Sequence, residues 1–176
     1  PENSKGKMYL VENVEQAKII PIDQPGNLYL VTQTTLSVSD TEEIIHELKK
    51  RFPAMQEPNS EDICYATQNR QDAVKQLALE TELILVVGSE NSSNSNRLKE
   101  LAEKSGSKSY LVDDPDQISI EMLKNISSLG ITAGASAPEE LVQSIVKKCS
   151  GFGYQNEEEL DGLEENIYFK LPAELR

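Results

Sequence analysis

The chain has 176 residues, of which 38% are hydrophobic and 27% charged, and its net charge is −13. This charge argues against a nucleic-acid partner and an anionic membrane surface, because both attract clustered Lys and Arg. No segment is apolar over the ~18 residues that a membrane span needs. With two distant cysteines and no visible signal peptide, the sequence predicts a reducing, cytoplasmic location.

The first 60 residues predict a partial α/β domain. Its predicted elements are strands over residues 7–12 and 28–34, a helix from Asn13 through Ile20, and a helix over residues 41–52 with Asp40 as its N-cap. Residues 53–60 are polar and contain two prolines, which indicates a domain boundary. Because the chain starts with Pro1 rather than Met, we expect it to be processed or partial.

Residues 61–149 predict a second α/β domain in which helices and strands alternate. The predicted elements are helices over residues 67–79, 94–104, 119–124 and 138–148, and strands over residues 83–88, 110–112 and 129–133. Gly106 is placed to end the second of these helices, and Pro138 to open the last. The alternation predicts a parallel sheet with helices on both faces, and ligands bind such sheets at the carboxyl ends of their strands.

Residues 150–176 predict an acidic tail with one strand over residues 166–171. A lone strand needs a sheet to join, and we expect most of that sheet to lie outside this chain.

Four polar loops at strand ends or helix starts are rich in small hydroxyl and amide side chains: residues 32–37, 64–67, 88–96 and 132–138. A helix N-terminus offers free N–H groups and the positive end of a dipole, so it attracts phosphate. Two such loops at one sheet edge would bind a diphosphate, even in an acidic protein.

The candidate residues in these loops can also be explained by a purely structural role, without a ligand. Ser136 taken alone is more typical of a helix cap, and Thr34 of a β-branched strand residue. For residues 88–96, capping and anion binding remain equally open. Cys64 suits either a buried small side chain or a metal ligand beside a helix start. Cys149 ends an apolar helix face and is predicted to be structural, while His46 is predicted to be solvated.

Three long strings are distinctive, and a fourth lies upstream in the matching order: EDICYATQNR at residues 61–70, VVGSENSSNSNRL at 86–98, GITAGASAP at 130–138, and TQTTLS at 32–37. Together they closely resemble the 4-hydroxy-3-methylbut-2-enyl diphosphate reductase family (IspH/LytB), from about Met8 to Arg176. The resemblance implies three similar α/β domains around a central 4Fe–4S cluster. This chain would hold the remainder of the second domain and the whole third domain.

The resemblance also implies roles for individual residues. Cys64 would be one of three cysteine ligands of the cluster, because thiolate is the expected ligand there. Ser92, Ser93, Asn94 and Ser136 would hold the diphosphate, and Thr34 would assist the proton relay near the substrate hydroxyl. The implied activity is reductive removal of that hydroxyl from an allylic diphosphate. The products would be isopentenyl and dimethylallyl diphosphates, with electrons from ferredoxin or flavodoxin.

The sequence departs from the family in one large respect. The other two cluster cysteines, the family's histidines and its His-Pro-Glu segment belong to an N-terminal part that this sequence lacks, so we expect the 176-residue chain alone to be inactive. Two alternatives remain. One is a stand-alone α/β module that binds a phosphorylated metabolite without redox chemistry and without need of Cys64. The other is an assembly piece that works only when its missing half complements it.

Overall fold

A computed structural model of the chain describes residues 6–23, 26–36, 38–57 and 65–160. Five helices and three strands are present in this described part. In chain order they are α1 (Val14–Ile19), α2 (Val38–Arg51), α3 (Tyr65–Glu80), β1 (Leu83–Val87), α4 (Ser93–Lys104), β2 (Lys108–Val112), β3 (Leu129–Ala133) and α5 (Glu139–Gly151), with a short 3-10 helix at Pro115–Gln117.

The three strands form a parallel sheet in the order β2-β1-β3. The apolar run of β1 leaves it buried on both sides, as expected for a central parallel strand. Leu83, Leu85 and Val87 pack on one face of the sheet against a cluster that includes Ile145 and Cys149 of α5. The predicted fold class is confirmed.

The opposite face of the sheet packs against α3 and α4. Ile84 and Val86 of β1 join Val74 of α3 and Leu98 of α4 in a second buried cluster. Since side chains alternate along a strand, the single run of residues 83–87 supplies both clusters. The sheet is therefore the middle layer of an α/β/α sandwich.

The predicted helix ends at Asn13 and Gly106 are confirmed. The side chain of Asn13 accepts a hydrogen bond from the N–H of Gln16 at 2.9 Å and caps α1. Gly106 has a φ of +98° after the end of α4. Its N–H donates to the carbonyl of Glu103, and the next N–H, of Ser107, donates to that of Ala102, which together form a Schellman motif.

Residues 6–57 hold a smaller apolar cluster of Ala17, Ile20, Leu48 and Phe52, which joins α1 to α2. Arg51 reinforces this contact. Its guanidinium donates to the carbonyls of Ala17 at 2.6 Å and Ile20 at 3.0 Å, at the end of α1. These hydrogen bonds satisfy carbonyls that the helix itself leaves unpaired.

The two strands predicted in the first 60 residues do not form in the described part of the chain. Residues 7–12 have no strand pairing, and Met8 and Leu10 are exposed. Residues 28–34 form a single parallel bridge, between Tyr29 and Gln56. A strand requires a neighbour for its N–H and carbonyl groups, and one bridge is all that the described neighbours provide.

Three helix predictions need correction. The helix predicted over residues 41–52 begins at Val38, so residue 40 lies inside the helix rather than at its N-cap. Residues 119–124 form successive turns instead, in which an N–H donates to the carbonyl three residues earlier, as from Met122 to Ser119 at 3.2 Å. Pro138 is the N-cap of α5 rather than its first helical residue. The predicted boundary at residues 53–60 lies partly, and the strand at residues 166–171 entirely, outside the described residues.

Candidate functional site

Two glycines mark the carboxyl edge of the sheet. Gly88 directly follows β1 and Gly134 directly follows β3, its neighbour in the sheet. The N–H of Gly134 donates to the carbonyl of Val87 at 2.9 Å. The loops that leave β1 and β3 therefore start side by side, as the parallel topology predicts.

The loop after β1 is held by its own polar groups. Ser92 is the N-cap of α4, and its hydroxyl accepts the N–H of Ser95 at 3.3 Å. The amide Nδ2 of Asn96 donates to the carbonyls of Glu90 at 2.6 Å and Ser92 at 3.0 Å. Helix capping thus accounts for the polar side chain at Ser92, and closure of the loop accounts for the one at Asn96. Neither accounts for the polar side chain of Asn94.

Asn94 is the unusual residue of the site. Its side chain lies in the first turn of α4 and is only 7% exposed. Neither Nδ2 nor Oδ1 has a hydrogen-bond partner among the residues that the structure describes. Its Nδ2 lies 3.7 Å from the point where a Cβ on Gly134 would stand, so the amide lies beside the second loop. An unpaired buried amide costs roughly 1–3 kcal/mol, which a bound ligand at a helix N-terminus would offset.

Ser136 lies in a turn between Gly134 and Ala137, closed by a 3.0 Å hydrogen bond from the N–H of Ala137 to the carbonyl of Gly134. Its side chain is exposed. The N-cap of α5 is Pro138, and no side chain caps that helix. The capping interpretation of Ser136 is therefore wrong, and the residue stays on the turn beside Asn94 and Ser95.

Thr34 and Ser93 lie near a second feature of the site. A pocket of about 280 Å³ lies between the turn at residues 33–36 and α4, and it is lined by Gln33, Thr35, Leu36, Ser93, Asn96, Arg97 and Glu100. Thr34 lies between two of these lining residues, and its side chain is exposed. The buried side chain of Gln71 donates to the carbonyl of Leu36 at 2.7 Å. This hydrogen bond attaches the turn at residues 33–36 to α3, which packs on the sheet.

The two cysteines and the histidine lie in different environments or outside the described residues. Cys64 lies outside the described residues. Cys149 is 2% exposed in the apolar cluster under α5, as predicted for a structural cysteine, and burial raises the pKa of its thiol. His46 is exposed on α2.

The donor set of this chain does not by itself fit a 4Fe–4S cluster. Such clusters are held by several thiolates, and the chain has two cysteines, one of them enclosed in an apolar core. Within residues 6–23, 26–36, 38–57 and 65–160, no three His, Cys, Asp or Glu residues come together as a metal site. None of the helices in that part of the chain has the length and apolarity to span a bilayer.

These features define a parallel-sheet α/β/α protein with a polar, partly unsatisfied site at the carboxyl edge of two adjacent strands. The profile of the LytB protein family matches residues 2–150, and the chain belongs to that family. The resemblance inferred from the four sequence strings is confirmed.

Relatives and a solved structure agree with this assignment. The 4-hydroxy-3-methylbut-2-enyl diphosphate reductase of Haemophilus influenzae (strain PittEE) is 54% identical over 174 residues, 99% of this chain and 55% of that protein. That of Tolumonas auensis is 53% identical over 175 residues, 99% of this chain and 56% of that protein. The structure of the E-1-hydroxy-2-methyl-but-2-enyl-4-diphosphate reductase from Plasmodium falciparum superposes with a TM-score of 0.83 at 35% identity, covering 94% of this chain and 53% of that one. The chain thus spans about half the length of the relatives that it matches.

Sequence reasoning included Ser95 in the polar loop at residues 88–96 but assigned it no role, whereas the structure places it between the two loops of the site. Its side chain is fully buried and contacts both glycines at the sheet edge. A signal was present, because Ser95 lies three residues after the cap Ser92, and residues at that spacing share a helix face.

Proposed function

We propose that this chain forms the diphosphate-binding edge of a 4-hydroxy-3-methylbut-2-enyl diphosphate reductase. The observation that carries the proposal is the buried, unpaired amide of Asn94 in the first turn of α4. The names of the relatives supply the substrate: a small allylic alcohol that carries a diphosphate.

The proposed site binds the diphosphate with neutral donors. Ser92, Ser93 and Ser136 provide hydroxyls, and Asn94 provides its amide Nδ2. The first N–H groups of α4 have no partner within the helix, and the helix dipole favours negative charge at this end. Hydrogen bonds to a charged phosphate are stronger than those between neutral groups, so a few donors suffice.

The complete reaction is proposed for the full-length protein. The C–O bond of the substrate hydroxyl breaks, two electrons and two protons enter, and water leaves, which gives isopentenyl or dimethylallyl diphosphate. We assign Thr34 to the proton relay and Cys64 to one ligand position of a 4Fe–4S cluster, with ferredoxin or flavodoxin as the electron source. The isolated 176-residue chain is expected to bind the diphosphate and not to turn it over.

Calorimetric titration of the chain with inorganic pyrophosphate, and then with the allylic substrate, tests the binding site. Asn94→Ala is expected to raise Kd about 10- to 150-fold, the equivalent of the ~1.5–3 kcal/mol that a hydrogen bond to a charged group contributes. Ser109→Ala is the matched control, because its hydroxyl is also buried without a partner among the described residues but lies on β2 opposite Ile84, away from the carboxyl edge. Equal binding by the unmodified chain and Asn94→Ala would contradict the proposal.

The redox part is tested separately on the full-length protein. Turnover that needs bound iron and is lost in Cys64→Ser supports the reductase. Diphosphate binding with neither iron dependence nor any need for Cys64 would favour the stand-alone binding module instead.

A further inference from the structure

Ser95 lies between the ends of the two strands that form the site. A Cβ built on Gly88 or on Gly134 would overlap the Oγ of Ser95 in both cases. The Ser95 side chain is 0% exposed. The hydroxyl of Ser95 therefore fills the space between the loop after β1, the loop after β3 and the start of α4.

The hydrogen bonds of Ser95 converge on Ser92. The Oγ of Ser95 donates to the Oγ of Ser92 at 3.0 Å, and the N–H of Ser95 donates to the same oxygen at 3.3 Å. A serine hydroxyl has two acceptor positions and one proton to donate. When the Ser95 hydroxyl is the donor of this pair, Ser95 occupies both acceptor positions of Ser92, and the proton of the Ser92 hydroxyl is left for a ligand.

We propose that Ser95 is a positioning residue that restricts the Ser92 hydroxyl to donating, and so adapts it to a ligand that accepts hydrogen bonds, such as a phosphate oxygen. The inference rests on the proposed diphosphate site. A second group is available to the same ligand: the neighbouring amide of Asn94 is buried, and its Nδ2 donor has no partner among the described residues. Hydroxyls that accept hydrogen bonds also donate more strongly, because bonds in a chain polarise one another.

The test is a double-mutant cycle on pyrophosphate binding. Ser92→Ala, Ser95→Ala and the double variant are titrated by calorimetry beside the unmodified chain. Ser95→Ala is expected to weaken binding about three- to tenfold in the unmodified background, the effect of one typical hydrogen bond. In the Ser92→Ala background the same change should alter Kd by less than about twofold, because Ser95 acts through Ser92.

Ser107→Ala is the matched control for the loss of a buried serine hydroxyl. The Ser107 hydroxyl is 5% exposed and donates to the carbonyls of Ala78 at 2.9 Å and Thr81 at 2.8 Å, at the amino end of the sheet. This variant should lower the unfolding midpoint and leave Kd unchanged. It thus distinguishes a loss of protein stability from a change in the Ser92 hydroxyl that donates to the ligand.

Three results would overturn the inference, and they can be distinguished. Equal loss of affinity from Ser95→Ala in both backgrounds, or no loss in either, would refute the role of Ser95 and leave the diphosphate site standing. Absence of pyrophosphate binding by the unmodified chain would refute the proposed site and with it the role of Ser95.

Discussion

Replacement of Gly134 by alanine should destabilise the protein only while Ser95 keeps its hydroxyl. The added Cβ would overlap the Oγ of Ser95. That oxygen would have to rotate away and lose its bond to Ser92, which costs about 1 kcal/mol, or remain in an overpacked position, which costs about 1–3 kcal/mol. We therefore expect Gly134→Ala to lower the free energy of unfolding by about 1–3 kcal/mol.

In the Ser95→Ala background, the Oγ that the new Cβ would overlap is absent. The remaining neighbours of the new Cβ would be the Cβ of residue 95 at 3.5 Å and the Nδ2 of Asn94 at 3.7 Å, which are ordinary contact distances. Gly134 has no positive φ, so alanine fits its backbone. Gly134→Ala should then be neutral, or stabilising by up to about 1 kcal/mol through the reduced entropy of the unfolded chain.

Urea unfolding followed by circular dichroism measures all four proteins of this cycle. Gly88→Ala is the control, because its Cβ would still lie 2.9 Å from the Cβ of residue 95, and its φ of +155° is one that side-chain-bearing residues rarely adopt. Ser95→Ala should not rescue it. The steric argument would be refuted if Gly134→Ala cost the same free energy in both backgrounds.

Three further predictions concern the site and the core. In the full-length protein, Ser92→Ala combined with Asn94→Ala should raise KM for the diphosphate substrate at least tenfold through lost charge-assisted hydrogen bonds, and an unchanged KM would remove both residues from the site. Cys64→Ser should lower the iron content of the full-length protein, whereas Cys149→Ala should not, and full iron in the first variant would exclude Cys64 as a ligand. Burial raises the pKa of the Cys149 thiol, so the contribution of Cys149 to the free energy of unfolding should be constant below about pH 8.5 and should fall above it, because the unfolded state releases the proton first. Cys149→Ala should flatten that alkaline slope in pH-dependent urea unfolding, and an unchanged slope would contradict the assignment.

The parallel sheet and its helices, at residues 65–151, could be predicted from the sequence because local sequence signals there agree with the packing of the fold. The apolar run of β1 and the stop at Gly106 specify the same element boundaries that packing requires. The segments at residues 7–12 and 28–34 have strand-like patterns, but a pattern cannot supply the neighbouring strand, and only Tyr29 finds a bridge among the described residues.

The site could be predicted only in part. Polar loops after adjacent parallel strands indicated where Ser92 and Asn94 would lie, and the topology places them at that edge. The sequence could not show that the Asn94 amide is buried without a partner, because the amide lies beside Gly134, which follows a different strand 40 residues later in the chain. The contact of Ser95 with two glycines, 7 and 39 residues away in the sequence, is likewise a property of the fold alone.

The neutral donors at the sheet edge have a kinetic consequence in a chain whose net charge is −13. An approaching diphosphate is repelled by the net charge of the chain. Ser92, Asn94, Ser95 and Ser136 are neutral, and Arg97 in the neighbouring pocket is paired with Glu100 at 2.7 Å. Added salt screens this repulsion, since the Debye length falls from about 30 Å at 0.01 M to about 8 Å at 0.15 M. The association rate of pyrophosphate should therefore rise with ionic strength, the opposite of the behaviour of phosphate sites that are lined by arginine and lysine.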